Sequence, residues 1–278
     1  MYIQLMSQNR DWPLAPPEFL SIAPPGKTDE DPPWSGWDVI AIVLVTFGTL
    51  MLSLLVVTAL ARRLMFPHTP FMQVMNFPLV AFGSQMLAYV LAFGFMFTTA
   101  TRNTKAGFWS AVRWNWPRAW GYYLLLGVAF CIALQLLANV LPMPHKIGFD
   151  IFFQTPLRAW ILAICGMSLV PVFEEMVFRG FLYPVLARRL GLILAVIFTA
   201  VPFVMIHVPQ LEDPKMPLRN SWGAILIISL IGFALTIVRA VKKSVAAGVL
   251  MHMAYNGFTS VLAIISTGGF RHLERITR

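Results

Sequence analysis

The sequence predicts an all-α protein, a polytopic transmembrane helical bundle of about seven spans, with eight as the alternative. Apolar residues make up 58% of the 278-residue chain and charged residues 12%. Soluble domains usually contain about 45–50% apolar and about 25% charged residues. The apolar residues also form long blocks, and a helix that crosses a bilayer needs about 20 such residues in succession. Because lipid cannot satisfy backbone polar groups, and the blocks lack a period of two, the spans are expected to be helices.

Seven apolar blocks are long enough to be spans. They cover residues 38–61, 77–99, 120–141, 157–188, 192–208, 222–241 and 245–267. The fourth block is long and contains Pro171, which is expected to interrupt its helix. We therefore predict a multi-pass integral protein of the cell membrane.

These blocks divide the chain into four regions. Residues 1–37 are rich in proline and predict an extended, flexible tail. Residues 38–155 contain the N-terminal transmembrane helices, and their segment 101–118 mixes Trp and Arg, which predicts an amphipathic stretch lying on the membrane surface. Residues 156–268 form a second membrane core, and residues 269–278 form a basic tail.

The net charge of +9 fits a protein whose partners include membrane lipids. Its basic residues fall mostly between the apolar blocks, where they meet lipid headgroups. No basic stripe with interleaved aromatic residues is present, so nucleic acid is not a predicted partner.

Two adjacent glutamates are the most informative residues. Of twelve acidic residues, only three lie between positions 39 and 211, and Glu174 and Glu175 are inside an apolar block. A carboxylate in the bilayer core costs at least a few kcal/mol and usually has a function. Arg179 follows Glu175 by one helical turn, so these two side chains are expected to pair.

Glu174 points about 100° away from Glu175 around the helix axis, so it is left facing a cavity. A carboxylate without a charged partner, facing a cavity, is a candidate general base. The alternative is a buried ion pair between Glu175 and Arg179 that only fixes helix packing.

Two histidines, His207 and His252, lie inside the fifth and seventh blocks. The fourth and fifth blocks meet at a short turn, residues 188–191, and therefore form an antiparallel hairpin. Glu174 precedes that turn by about 15 residues and His207 follows it by about 17. At 1.5 Å per residue, both side chains lie about 22–26 Å from the same end and can face each other.

His252 and Asn256 are four residues apart and share one face of the seventh predicted helix. Two neutral donors aimed at one place suit an oxyanion hole for a tetrahedral acyl intermediate. Asn256 has a second interpretation, as a residue that joins two helices through hydrogen bonds.

Three short motifs carry a family resemblance. EEMVFR at 174–179, FVMIH at 203–207 and HMAYN at 252–256 match the EExxxR, FxxxH and HxxxN motifs of the type II CAAX prenyl endopeptidases and their bacterial relatives, the CPBP family. Order and approximate spacing match as well, over residues 156–267. The chain resembles that family.

The resemblance implies an intramembrane endopeptidase without a cofactor, acting on a hydrophobic or lipidated peptide or protein substrate. It also implies three pairs of site residues. These are Glu174 with His207, which would activate a water, His252 with Asn256, which would stabilise the oxyanion, and Glu175 with Arg179, which would orient the first pair.

Three alternatives stay open at this stage. A zinc-dependent membrane peptidase would use Glu174, His207 and His252 as ligands, with an open fourth position. A non-catalytic scaffold, like a bacteriocin-immunity protein, would keep the fold and bind a partner. A transporter would use the intramembrane Glu and His side chains as a proton relay, although the chain has no pair of broken helices in symmetric halves.

Overall fold

A computed structural model describes residues 31–143, 153–211 and 221–276, and every regular element in these ranges is a helix. The α-helices are α1 (Gly36–Leu64), α2 (Phe71–Met75), α3 (Pro78–Thr101), α4 (Phe108–Ala111), α5 (Trp120–Ala138), α6 (Pro156–Met167), α7 (Leu169–Glu175), α8 (Tyr183–Leu190), α9 (Leu192–Met205), α10 (Trp222–Lys242) and α11 (Val245–Ser266). A π-helical segment, Met176–Leu182, joins α7 to α8, and short 3-10 turns cover Val208–Leu211 and Leu273–Arg275. The prediction of an all-α bundle is confirmed.

Six described helices are long and apolar enough to cross a membrane, and the chain is a multi-pass integral membrane protein. Five are α1, α3, α5, α10 and α11, and the sixth is the stretch Pro156–Leu190, which contains α6, α7 and α8. Many of their apolar side chains face outward, as lipid requires; Leu44 in α1 is 67% exposed. The fifth predicted span is shorter than expected, because α9 ends at Met205 after 14 residues, a rise of about 21 Å.

The chain enters the bundle earlier than the predicted boundary at residue 37. Ser35 caps α1, and its side chain and that of Asp38 form a reciprocal capping box, which satisfies backbone donors at the helix start. Trp34 is only 2% exposed and lies in the main apolar core. Residues 1–30 of the predicted tail, and the last two of the basic tail, lie outside the described residues.

The segment predicted to lie on the membrane surface, 101–118, contains the short helix α4. Phe108 is buried in the apolar core, whereas Trp109 and Trp116 are 52% and 60% exposed. The segment is tied to the turn before α11, because the Asn115 amide donates to the Lys243 carbonyl at 2.9 Å. Its position at the membrane surface stays a prediction.

Helix α11 is the centre of the C-terminal half. It packs against α5, α6, α7 and α10, and its first eight residues, Val245–His252, are all buried. Ser244 caps its start, with the side-chain oxygen accepting from the Ala247 amide at 3.1 Å. Contacts between α1 and α3 build the N-terminal half.

The long fourth span is interrupted, as Pro171 predicted. Pro171 has no N–H to give to the carbonyl of Met167, and its ring crowds that carbonyl. Helix α6 accordingly ends at Met167, and α7 begins after Ser168, whose backbone leaves helical geometry at φ −123° and ψ −75°.

A single glycine makes the turn between α8 and α9. Gly191 has φ 79° and ψ 171°, a conformation that side chains with a Cβ rarely adopt. The two helices pack against each other, so the predicted hairpin is present. This hairpin brings the end of α9 back to the level of α7.

Candidate functional site

A buried ion pair lies at the centre of the site. Arg179 Nη1 donates to Glu175 Oε1 at 2.9 Å, and both side chains are fully buried. The pairing across one helical turn is the one expected from the sequence. Each partner lowers the cost of burying the other's charge, and removal of one partner would leave a buried charge uncompensated.

Two further guanidinium donors of Arg179 bond to α10. Nε donates to Thr236 Oγ1 at 3.2 Å, and Nη2 donates to the Gly232 carbonyl at 2.9 Å. The Phe203 ring from α9 lies under the guanidinium carbon at 4.5 Å. Helices α9 and α10 therefore fix the position of Arg179, and through it the position of Glu175.

Glu174 has a different environment from its neighbour. Its side chain is 15% exposed, and its two oxygens face two imidazoles. Oε1 lies 3.9 Å from His207 Nε2, and Oε2 lies 3.8 Å from His252 Nε2. Both distances exceed that of a hydrogen bond, so Glu174 is flanked by two nitrogens without being locked by either.

His207 lies just beyond α9 and not inside a helix, which corrects the sequence-based placement in the fifth span. Pro209 has no N–H to donate to the Met205 carbonyl four residues earlier, and the chain continues as a 3-10 turn. His207 Nδ1 is 2.7 Å from the Phe203 carbonyl. Because a carbonyl only accepts, Nδ1 carries a proton, and the other ring nitrogen, Nε2, faces Glu174.

His252 lies between the two glutamates. Its Nδ1 is 3.1 Å from Glu175 Oε1, and its Nε2 faces Glu174. Glu175 is already paired with Arg179, so the carboxylate accepts and Nδ1 donates. The buried pair thereby orients the His252 ring, which is 4% exposed.

Asn256 follows His252 by one turn of α11, and its amide nitrogen donates to the Gly166 carbonyl of α6 at 2.8 Å. This bond is the helix-to-helix contact that the sequence offered as a second interpretation. It uses one of the two amide hydrogens of Asn256, so the oxyanion role stays a prediction.

A π-helical segment follows the glutamates directly. Such segments are rare and occur often at functional sites. Pro184 contributes to the irregularity, because it has no N–H to donate to a carbonyl in the preceding turn. The backbone N–H of Tyr183 bonds the Phe178 carbonyl, and the Arg179 carbonyl instead accepts from Arg239 Nε of α10 at 3.1 Å.

Several residues that support the site were missed by sequence reasoning. Thr236, Gly232 and Arg239 in α10 bond Arg179, and Gly248 in α11 lies against Glu175. A Cβ at Gly248 would lie 2.8 Å from Glu175 Oε2. Only Arg239, a charge near the end of an apolar block, carried a signal in the sequence.

Metal binding was the alternative use of this site. Among the described residues, no group of three or more His, Cys, Asp and Glu side chains converges on a point where it could hold a metal ion. Zinc binding by Glu174, His207 and His252 therefore stays a prediction, and the chelator experiment described below tests it.

The fold and the site define a class: a helical membrane protein with a Glu/His site built from its spans. Residues 156–258 match the family model described as type II CAAX prenyl endopeptidase Rce1-like, which supports the resemblance that the three motifs carry. The protein is accordingly a membrane endopeptidase of the CAAX-protease type. No curated protein and no solved structure matched the chain.

Proposed function

We propose that the protein hydrolyses a peptide bond of a membrane-associated substrate with a water activated by Glu174 and His207. The observation that carries the proposal is the contrast between adjacent glutamates. Glu175 is fixed in a buried ion pair, whereas Glu174 is partly exposed and faces imidazole nitrogens at 3.8 and 3.9 Å.

The distance between Glu174, the proposed base, and His207 suits a water held between them. Polar groups more than 3.5 Å apart are commonly bridged by water, and Glu174 Oε1 lies 3.9 Å from His207 Nε2. Such a water can donate one hydrogen bond to each acceptor. Glu174 then takes a proton as the water oxygen attacks the substrate carbonyl carbon.

The tetrahedral intermediate needs donors for its negative oxygen. His252 and Asn256 are the proposed donors, and both are on one face of α11. Because His252 Nδ1 already donates to Glu175, its oxyanion role requires a second proton on Nε2. When the C–N bond breaks, the proton held by Glu174 passes to the leaving nitrogen, which regenerates the carboxylate.

The substrate is proposed to be a hydrophobic or lipidated peptide. Glu174 and His252 lie in membrane-spanning stretches, Pro156–Leu190 and Val245–Ser266, so a peptide bond must reach the site from within or beside the bilayer. Attachment to lipid or an apolar sequence would bring it there.

The test is cleavage of prenylated and unmodified hydrophobic peptides by detergent-purified protein, with and without a metal chelator. Glu174→Gln keeps the side-chain shape and removes the base, so activity is expected to fall by about 10²–10⁴-fold. Glu274→Gln is the control, because the Glu274 side chain is 59% exposed in the C-terminal 3-10 turn.

Cleavage that persists in chelator and disappears with Glu174→Gln supports the proposal. Loss in chelator with recovery on adding zinc would replace it with the metal-dependent mechanism. Wild-type cleavage that Glu174→Gln leaves unchanged would remove Glu174 from the reaction.

A further inference from the structure

We propose that Trp34 is a positioning residue for the glutamate pair, acting through the backbone of the π-helical segment. The inference rests on the proposed function and extends it to a residue that precedes the first span. Trp34 lies outside the part of the chain that matches the family model, residues 156–258.

The contact between Trp34 and the π segment is direct and buried. Trp34 Nε1 donates to the Phe181 carbonyl at 3.0 Å. The indole also packs on the Phe181 ring, with centroids 4.5 Å apart and planes tilted by 36°. Trp34 is 2% exposed and Phe181 fully buried, so water cannot readily replace this hydrogen bond.

The π segment transmits this contact to the site. It begins at Met176, directly after Glu175, and it carries Arg179. A rotation or a return to α-helical geometry in this segment would turn Glu174 and Glu175 relative to the histidines, because they belong to the same continuous helix.

The segment depends on donors from outside its own helix. Two of its carbonyls accept from distant side chains, the Arg179 carbonyl from Arg239 and the Phe181 carbonyl from Trp34. Such external bonds offset the irregular bonding of a π-helical turn next to Pro184. Arg239 holds the segment from the α10 side, and Trp34 holds it from the α1 side.

Trp34 is itself held in place. The guanidinium of Arg188 in α8 donates to the Pro32 carbonyl at 3.3 Å and to the Trp34 carbonyl at 3.5 Å. On the other side, the capping box of Ser35 and Asp38 fixes the start of α1, and Asp38 pairs with Arg102. The indole is thus a fixed support between α1 and α8.

The experiment is Trp34→Phe in the full-length protein, which keeps an aromatic ring and deletes the N–H. We expect kcat to fall about tenfold with KM unchanged, because one buried hydrogen bond is lost from a group that touches no substrate. Hydrogen exchange is expected to become faster in residues 176–182. Trp37→Phe is the matched control, since Trp37 is three residues away and 77% exposed.

Faster exchange in this segment together with a lower kcat, both absent in Trp37→Phe, supports the proposal. Unchanged exchange and unchanged kcat would overturn it, as would a loss of activity explained entirely by a smaller folded fraction. If the wild-type protein cleaves no peptide, the proposed function fails separately. Hydrogen exchange then decides whether Trp34 holds the segment: faster exchange supports this, and unchanged exchange overturns it.

Discussion

At the scale of single residues, the two adjacent glutamates differ because of what surrounds them. Glu175 meets Arg179 and His252, and its side chain is fully buried. Glu174 is one position earlier and meets two imidazoles at longer range. A turn of about 100° per residue is enough to place neighbours in different environments, which makes separate roles for them possible.

Gly248 gives a prediction at this scale. One oxygen of the Glu175 carboxylate, Oε2, has no hydrogen-bond partner among the described residues. A Cβ added at Gly248 would lie only 2.8 Å from this oxygen. Gly248→Ala would push this carboxylate out of line with Arg179 and His252. We expect peptide cleavage to fall about 100-fold, in keeping with the effect of a displacement of about 1 Å.

The control for this substitution is on the same helix. Among the described residues, a Cβ at Gly257 would meet only Met167 Cβ, at an ordinary contact distance of 3.9 Å, so Gly257→Ala is expected to retain activity. Equal activity of the two variants would show that the space beside Glu175 is not needed.

At the scale of elements, α11 depends on the residue that caps its start, Ser244. The first eight residues of α11 are buried, and the helix carries His252 and Asn256. Ser244 accepts from the Ala247 amide and donates to the Asn115 carbonyl, which ties α11 to the segment before α5.

Ser244→Ala is expected to lower the free energy of unfolding by about 0.5–2 kcal/mol, because a buried helix cap is lost. Thermal unfolding in detergent measures the change. Ser266→Ala, at the exposed far end of the same helix, is expected to change stability by less than about 0.5 kcal/mol. Equal effects of the two substitutions would contradict a special role for the cap.

At the scale of the whole molecule, the family-matched core is supported by helices outside it. Helix α5 packs closely on α11, and Gly127 permits the approach. A Cβ at Gly127 would lie 2.3 Å from the Met251 carbonyl oxygen, which is backbone and cannot rotate away. This contact is next to His252, so the spacing between α5 and α11 also bears on the site.

Gly127→Ala is therefore expected to destabilise the protein by about 1–3 kcal/mol through overpacking and to reduce cleavage. The comparison is Gly121→Ala in the same helix, where a Cβ would meet no described atom within 4 Å. A shift in thermal unfolding temperature for Gly127→Ala alone is the expected result. An unchanged unfolding temperature for Gly127→Ala would show that α5 can move away from α11 without loss of stability.

Sequence reasoning reached the fold and the placement of several candidate site residues, because both follow from local rules. Long apolar blocks require helices in lipid, Pro171 predicted the break after Met167, and the i,i+4 spacing predicted the bond between Glu175 and Arg179. The depth argument for Glu174 and His207 agrees with their separation of 3.9 Å. It succeeded although α9 is shorter than expected, because His207 follows the helix end by only two residues.

The sequence by itself determined that the chain is a helical membrane protein with two adjacent glutamates inside a membrane span, one of them paired. Helix periodicity and the cost of burying charge act within a single segment, so local sequence is enough to predict these features. Only the tertiary structure decided which side chains surround them. The burial of Trp34 against Phe181, the bonds from α10 to Arg179, and the space at Gly248 join residues far apart in sequence. Such contacts depend on how helices pack and carry no local pattern, so periodicity cannot predict them.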